Sequence, residues 1–242
     1  ELKLIADMRR RNPTAGLVVF WVKLRNRGYS RSITGLYRVL RRQGQMAVKP
    51  PNPKYIPKPY EPMRYPGQRV QVDVKFVPAS CLVGNSEGEH FYQYTALDEY
   101  SRFRYLEAFS EHSTYSSAVF LEHMLKAFRF KVECVQTDNG SEFTRHLSNE
   151  RPTLFEKALD SHGIRHKLIR VFTPRHNGKV ERSHRKDNEY FYATHNFYSF
   201  YDFKKQLAVH SRKYNAFPMR PLKWQSPKKV LHDFLAFGVT YL

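Results

Sequence analysis

Near the N-terminus the apolar positions recur every three to four residues. Residues 2–11 predict a helix that stops at Asn12-Pro13. Residues 15–27 carry Leu17, Val18, Phe20, Trp21 and Leu24 at helical spacing, with Gly28 as the C-cap. Ser30 can cap a third helix over 31–43, whose Ile33, Leu36, Tyr37 and Leu40 form one apolar face. Three short helices with a Gly-containing turn before the last predict a helix-turn-helix. The periodicity then disappears. Residues 49–66 hold seven prolines among 18 residues, a composition that suits an extended, semi-stiff linker.

Beyond the linker the period drops to two. In residues 69–78, Val70, Val72, Val74 and Phe76 alternate with Gln71, Asp73 and Lys75, which predicts a strand. Residues 90–109 read as a hairpin turning at Asp98–Ser101, where Asp98 has a structural role in holding the turn. Ser113 caps a helix of about 16 residues. A strand through Val132, Cys134 and Val135 ends at Asp138 and Asn139-Gly140. A helix near 153–162, a strand over 164–170 and a polar helix within 173–192, N-capped by Asn177, complete the pattern. This order predicts an α/β fold: a ribonuclease-H-like mixed sheet with flanking helices, preceded by a small helical helix-turn-helix domain. The boundaries read from the chain are 1–48, the linker 49–66, a catalytic core over 67–192 and a basic C-terminal segment over 193–242.

Charge sharpens this picture. The net charge is +19, and residues 1–50 alone carry 12 Lys or Arg against 2 Asp or Glu. Residues 71–190 hold 17 of each sign, while residues 191–242 hold 8 basic against 2 acidic. A neutral centre between basic flanks suits a polyanion gripped from both sides, and double-stranded DNA, RNA or an acidic partner would each answer to it. Arg31, Arg38, Arg41 and Arg42 lie off the apolar face of the third helix, where DNA would be met. A solvated basic face on a small helical bundle is the plain alternative. No apolar run is long enough for a membrane helix, and no signal peptide is visible. Two cysteines exclude a disulfide framework and a four-thiolate zinc site. A reducing, cytoplasmic, DNA-associated setting fits.

The candidate chemistry lies in three carboxylates. Asp73 is on the first strand, Asp138 ends the fourth, and Glu181 is one turn into the polar helix. The first and fourth strands are neighbours in this element order, so the three can converge. Clustered carboxylates without cations repel, and oxygen-only donors favour Mg²⁺ or Mn²⁺, with two ions suiting phosphoryl chemistry. The segments "VQVDVKF", "VQTDNGSEF" and "TPRHNGKVERSHR" resemble the catalytic signatures of Asp-Asp-Glu insertion-sequence transposases, whose core is similar to retroviral integrases. The tail "YNAFPMRPLKWQSPKKVL" resembles their C-terminal segment.

That resemblance implies a bacterial DNA transposase in which Asp73, Asp138 and Glu181 hold the metal. It further implies cleavage and strand transfer at insertion-sequence ends by a homodimer or larger assembly that engages transposon ends and target DNA. The alternatives are a nuclease without strand transfer and a non-catalytic DNA-binding protein that keeps the fold. Glu181 follows Asp138 by 43 positions, longer than in retroviral integrases, so the intervening loop is enlarged. The retroviral zinc module is absent, which leaves end recognition to the helical N-terminal domain. Asn139 and Gly140 form a turn that admits DNA, with Glu142 a motif member rather than a ligand. Lys179, Arg182, Arg185 and Lys186 on the last helix are expected at DNA phosphates. His176 and His184 are expected as exposed polar residues. The aromatic and basic residues of the tail suit DNA contact, docking on another protomer, or packing on the core.

Overall fold

The computed structural model describes residues 1–48, 62–84, 88–145, 151–169 and 177–238. The chain divides into two compact units, Glu1–Tyr60 and Glu61–Leu242.

The first unit contains α1 (Leu2–Arg11), α2 (Leu17–Arg25) and α3 (Ile33–Arg42). Ile5, Met8, Phe20, Leu24, Tyr29, Leu36 and Leu40 form its core. Gly28 ends α2 at a φ of +88°, a conformation glycine adopts without Cβ strain. Tyr29 then donates its backbone N–H back to Leu24 O at 3.1 Å. Helix α3 starts later than expected. Ser32, not Ser30, is the N-cap, and its hydroxyl accepts from Gly35 N at 3.1 Å. Arg31 therefore precedes α3, pairs with Glu1 at 2.7 Å, and lies in the connection between α2 and α3.

The second unit is built on a five-stranded sheet of order β3-β2-β1-β4-β5. Its strands are β1 (Val70–Phe76), β2 (Tyr92–Asp98), β3 (Arg104–Phe109), β4 (Cys134–Thr137) and β5 (Arg165–Leu168). The β1–β2 and β2–β3 pairs are antiparallel, whereas β1–β4 and β4–β5 are parallel. Alternation along β1 sorts the two sheet faces. Val70 and Val72 join Tyr94, Ala96 and Val135 in the main core under α4 (Thr114–Phe128) and α5 (Leu154–Ser161). Gln71 and Asp73 point the other way, toward α6 (Gly178–Asp187), which continues into a π-helical turn over Asn188–Tyr192. Cys134 is fully buried, a small apolar residue of the core.

Asp98 closes the β2–β3 hairpin. Its carboxylate accepts from Ser101 N and Oγ at 2.7 and 2.6 Å, and from Gly67 N at 2.8 Å. Gly67 is required on two counts: its φ is +83°, and a Cβ there would collide with the Lys131 carbonyl. Residues 62–66 of the Pro-rich stretch lie against this unit. Met63 packs with Tyr100, Leu222 and Val230, and Tyr65 Oη donates to Glu133 at 2.9 Å, because this end of the stretch supplies apolar and aromatic side chains. Residues 49–61 lie outside the described residues.

Helix α7 (Phe200–Ala216) covers the β3 edge. Phe203 and Leu207 enter a second core with Val77, Phe91, Leu106 and Phe197, and Asn215 exchanges two hydrogen bonds with the Arg104 backbone at 2.9 and 2.7 Å. Helix α8 (Pro227–Phe237) follows, capped by Ser226. No helix of the described residues is long and apolar enough to cross a membrane.

Candidate active site

The parallel pairing of β1 with β4 sets Val70 beside Val135 and Gln71 beside Gln136. Asp73 lies two residues further along β1 and Asp138 one residue beyond β4, each two positions after a glutamine of that pair. Asp138 lies just past the last residue of β4, where the chain turns at Asn139-Gly140. Its carboxylate accepts from Gly140 N at 3.0 Å. Asp73 accepts from Val74 N at 2.9 Å, and His184 Nδ1 lies 3.3 Å from its other oxygen. Glu181 is in the first turn of α6.

These carboxylates feel one another. Burial pushes the Asp138 carboxyl up, and the charges of Asp73 and Glu142 add to this against the Gly140 hydrogen bond. Burial also raises the Glu181 carboxyl, with Asp73 and Asp138 pushing the same way and His184 opposing. Among the described residues, no group of three or more His, Cys, Asp or Glu closes tightly enough to hold a metal ion. Uncompensated like charges would oppose such closure. The donor set itself fits a hard divalent cation: three carboxylates, all oxygen, brought to one end of the sheet by β1, β4 and α6.

The placement of α6 rests on polar residues under it. Gln71 Oε1 accepts from Val180 N at 3.0 Å. Asn177 occupies the N-cap position, but its side chain makes no capping bond. Instead it accepts from Gln136 Nε2 at 3.3 Å and lies 3.5 Å from Val72 O, joining α6 to β1 and β4. Glu99 accepts from Arg69, Gln71 and Lys179, each at 2.7 Å. Burial raises the Glu99 carboxyl, but the Arg69 hydrogen bond and the Lys179 charge prevail and hold it at about 2. At the far end, Asp187 is fully buried. It receives Arg104 Nη1 at 2.9 and 3.0 Å, Gln93 Nε2 at 2.8 Å and His210 Nε2 at 2.7 Å. The supporting roles of Gln71, Gln136, Arg104 and Asp187 escaped the sequence reading. One signal was available: "VQVD" and "VQTD" repeat a Gln two positions before each Asp, on the same strand face.

The other expected site residues divide into outward and inward groups. Arg38, Arg41 and Arg42 are exposed on α3, and Arg31 is exposed ahead of it. Arg182, Arg185 and Lys186 are exposed on α6, but Arg185 bonds Glu189 at 3.3 Å rather than Glu181. Lys179 is turned inward onto Glu99, and burial with the nearby Arg102 charge lowers it to about 8 despite Glu99. Asn139 donates to Ile169 O at 3.0 Å, tying the turn to the end of β5. A Cβ on Gly140 would lie 2.5 Å from a Glu142 carboxylate oxygen, so this glycine makes room for Glu142. Glu142 in turn is buried and lies 2.9 Å from His112 Nε2. His184 is not an exposed residue: its side chain is 12% exposed and bridges Asp73 to Thr95 Oγ1, at 2.9 Å from the latter. His176 lies outside the described residues.

Comparison with known proteins agrees with this layout. The family described as "Integrase core domain" matches residues 64–174, and a second family of the same description matches residues 162–227. A Spiroplasma virus SpV1-C74 protein named as an integrase (ORF3) is 28% identical over 132 residues, which is 50% of this chain and only 35% of that relative's length. Among solved structures, the chain is similar to one from the simian T-cell lymphotropic virus intasome in complex with PP2A regulatory subunit B56 gamma. The TM-score is 0.60 at 15% identity, covering 94% of this chain and 74% of that one. It is also similar to the HTLV-2 integrase catalytic core domain in complex with magnesium, in a trimeric form. There the TM-score is 0.51 at 17% identity, covering 69% of this chain and 98% of that one. Residues 64–227 therefore form an integrase-like core with a ribonuclease-H-like fold.

Proposed function

We propose that this protein is a DNA transposase that cleaves insertion-sequence ends and joins them to target DNA. The observation that carries the reading is the placement of Asp73 on β1, Asp138 just past β4 and Glu181 in the first turn of α6, with His184 of α6 3.3 Å from Asp73, in an integrase-type core. Asp73, Asp138 and Glu181 would hold Mg²⁺ or Mn²⁺. A pair of such ions held there would supply activation of a water or a 3′-hydroxyl and stabilisation of the leaving oxygen.

The chain's own residues prepare that chemistry. Asp73 is on β1 and Asp138 directly follows β4, the strand beside it, so the sheet constrains both before any ligand arrives. His184 holds one Asp73 oxygen from the α6 side. Gln71 and Asn177 fasten the first turn of α6, which sets where Glu181 can reach. Arg182, Arg185 and Lys186 point to solvent from the same helix and supply positive charge for DNA phosphates. Arg31, Arg38, Arg41 and Arg42 give the N-terminal unit a basic surface for end recognition. Joining two ends in one event calls for a dimer or larger assembly on DNA.

The test is a strand-transfer assay with end-bearing duplex DNA and Mg²⁺ or Mn²⁺, comparing the parent with Asp138→Asn. Joined products from the parent alone support the transposase reading. Cleavage without joining identifies a nuclease. DNA binding with neither product identifies a non-catalytic relative.

A further inference from the structure

Between α7 and α8 the chain folds through an unusual turn. Arg220–Leu222 form a single 3-10 turn, and Lys223 and Trp224 follow with φ of +49° and +67°. Two successive non-glycine residues in the left-handed region are sterically disfavoured, all the more when one carries an indole. The turn is nevertheless fixed. Leu222 is fully buried in the cluster with Met63, Tyr100 and Val230. Trp224 N donates to Met219 O at 3.0 Å, Met219 N to Gln225 O at 3.0 Å, and Gln225 N to Leu222 O at 2.9 Å. This rigid frame holds Trp224 outward, 69% exposed.

The surroundings define what that ring can meet. Residues 203–232 contain eight Lys or Arg and not one Asp or Glu. Arg220, Lys223 and Lys228 are exposed within and beside the turn. A second copy of so basic a segment would be repelled, whereas a polyanion would be attracted. An exposed indole on a strained, anchored turn adds a flat apolar face to that attraction, and every nucleobase has a π-face to match it.

We propose that Trp224 is a base-stacking contact for DNA, receiving an unpaired base while Arg220, Lys223 and Lys228 meet the flanking phosphates. The inference rests on the DNA reading of the proposed function, but its test does not need catalysis.

Binding is measured without divalent cations, by anisotropy of dye-labelled DNA and by tryptophan emission of the full chain. The probes are a blunt duplex, the same duplex with a short 3′ single-stranded overhang, and heparin as a polyanion without bases. Trp21 and Trp224 are the two tryptophans, so the difference between parent and Trp224→Phe isolates the signal of Trp224. The overhang duplex is expected to quench Trp224, the blunt duplex less, and heparin not at all. Trp224→Ala is expected to weaken overhang binding about tenfold with little change for the blunt duplex, and Trp224→Phe to retain most of the affinity. Melting temperatures of both variants check folding. Unchanged overhang affinity in Trp224→Ala, equal quenching by heparin or by the blunt duplex, or quenching that follows protein concentration without DNA would each overturn the inference. DNA binding with an unresponsive Trp224 overturns it alone. A parent that binds no DNA overturns the DNA reading with it.

Discussion

The side-chain carbonyl of Gln71, on the central strand, accepts the backbone N–H of Val180 at 3.0 Å, one residue before Glu181. The first N–H groups of a helix have no partner within it, and this one is satisfied by the same strand that carries Asp73. A single side chain thus couples the position of the helical carboxylate to that of the strand carboxylate.

Gln71→Leu should therefore injure function more than folding. It leaves Val180 N unpaired and removes one donor to Glu99, a loss of about 1–3 kcal/mol of stability. Strand cleavage should fall by more than tenfold, in turnover rather than in DNA affinity. Urea denaturation and single-turnover cleavage measured on one preparation check both halves. Equal turnover in variant and parent would remove Gln71 from any positioning role.

Asp138→Asn should abolish strand joining while leaving the fold as stable as the parent, or more so. The reason is electrostatic: the folded protein disfavours the ionised form through burial and the charges of Asp73 and Glu142, and the amide lacks that charge. Mg²⁺ or Mn²⁺ should raise the melting temperature of the parent, since a ligand of the folded state stabilises it, and should do so far less in the variant. Thermal melts with and without the ion read this independently of activity.

Arg104 and Asp187 form an ion pair with both side chains fully buried, and Arg104 also lies 3.8 Å over the Tyr214 ring. Arg104→Met should cost about 3–5 kcal/mol, because it strands a buried carboxylate. Arg104→Met with Asp187→Leu should recover a large part of that loss. A double-mutant cycle in urea measures the coupling.

Acid should expose the same interactions. Burial raises the Asp187 carboxyl, but Arg104 and the His210 and Gln93 hydrogen bonds outweigh it and hold the group well below its ordinary 3.8. Glu99 is held at about 2, below its ordinary 4.5. A carboxyl depressed by folding contributes stability that is complete above its unfolded pKa and is lost as pH falls toward the folded one. Stability should be flat with respect to these groups above about pH 5 and decline steadily below it. Asp187→Asn in the Glu99→Gln background should flatten the decline. Unfolding free energies across pH 2.5–6 test the window.

Gly140→Ala should displace the Glu142 carboxylate, whose oxygens would lie 2.5 and 2.6 Å from the new Cβ. The obstacle is the end of a flexible side chain, so the cost should be about 1 kcal/mol. Adding Glu142→Ala should make the Gly140→Ala change nearly neutral. Additive losses in the double variant would show that the turn backbone, and not Glu142, requires glycine.

Local pattern made much of this protein legible. Period-two alternation marked β1, helical spacing marked the three N-terminal helices, and Asn-Gly after an apolar run marked the end of β4. The three carboxylates stood out because each fell near the end or on the polar face of such an element. Errors arose where a choice between near neighbours is local and degenerate. Ser30 and Ser32 are equally good caps by type, and only the geometry of the chain entering α3 selected Ser32.

The sequence by itself determined the order and type of the elements, the segregation of charge and the identity of the candidate ligands, because periodicity and turn chemistry act over a few residues. Tertiary structure decided what those residues do beside one another. Lys179 reads as a solvent-facing cation until Glu99, 80 positions earlier, draws it inward. His184 reads as exposed until β2 and Asp73 close over it. The partners of Val180 and Arg104 lie 109 and 83 positions away. A buried polar group must find a partner wherever the fold supplies one, and no local period records which distant strand that will be.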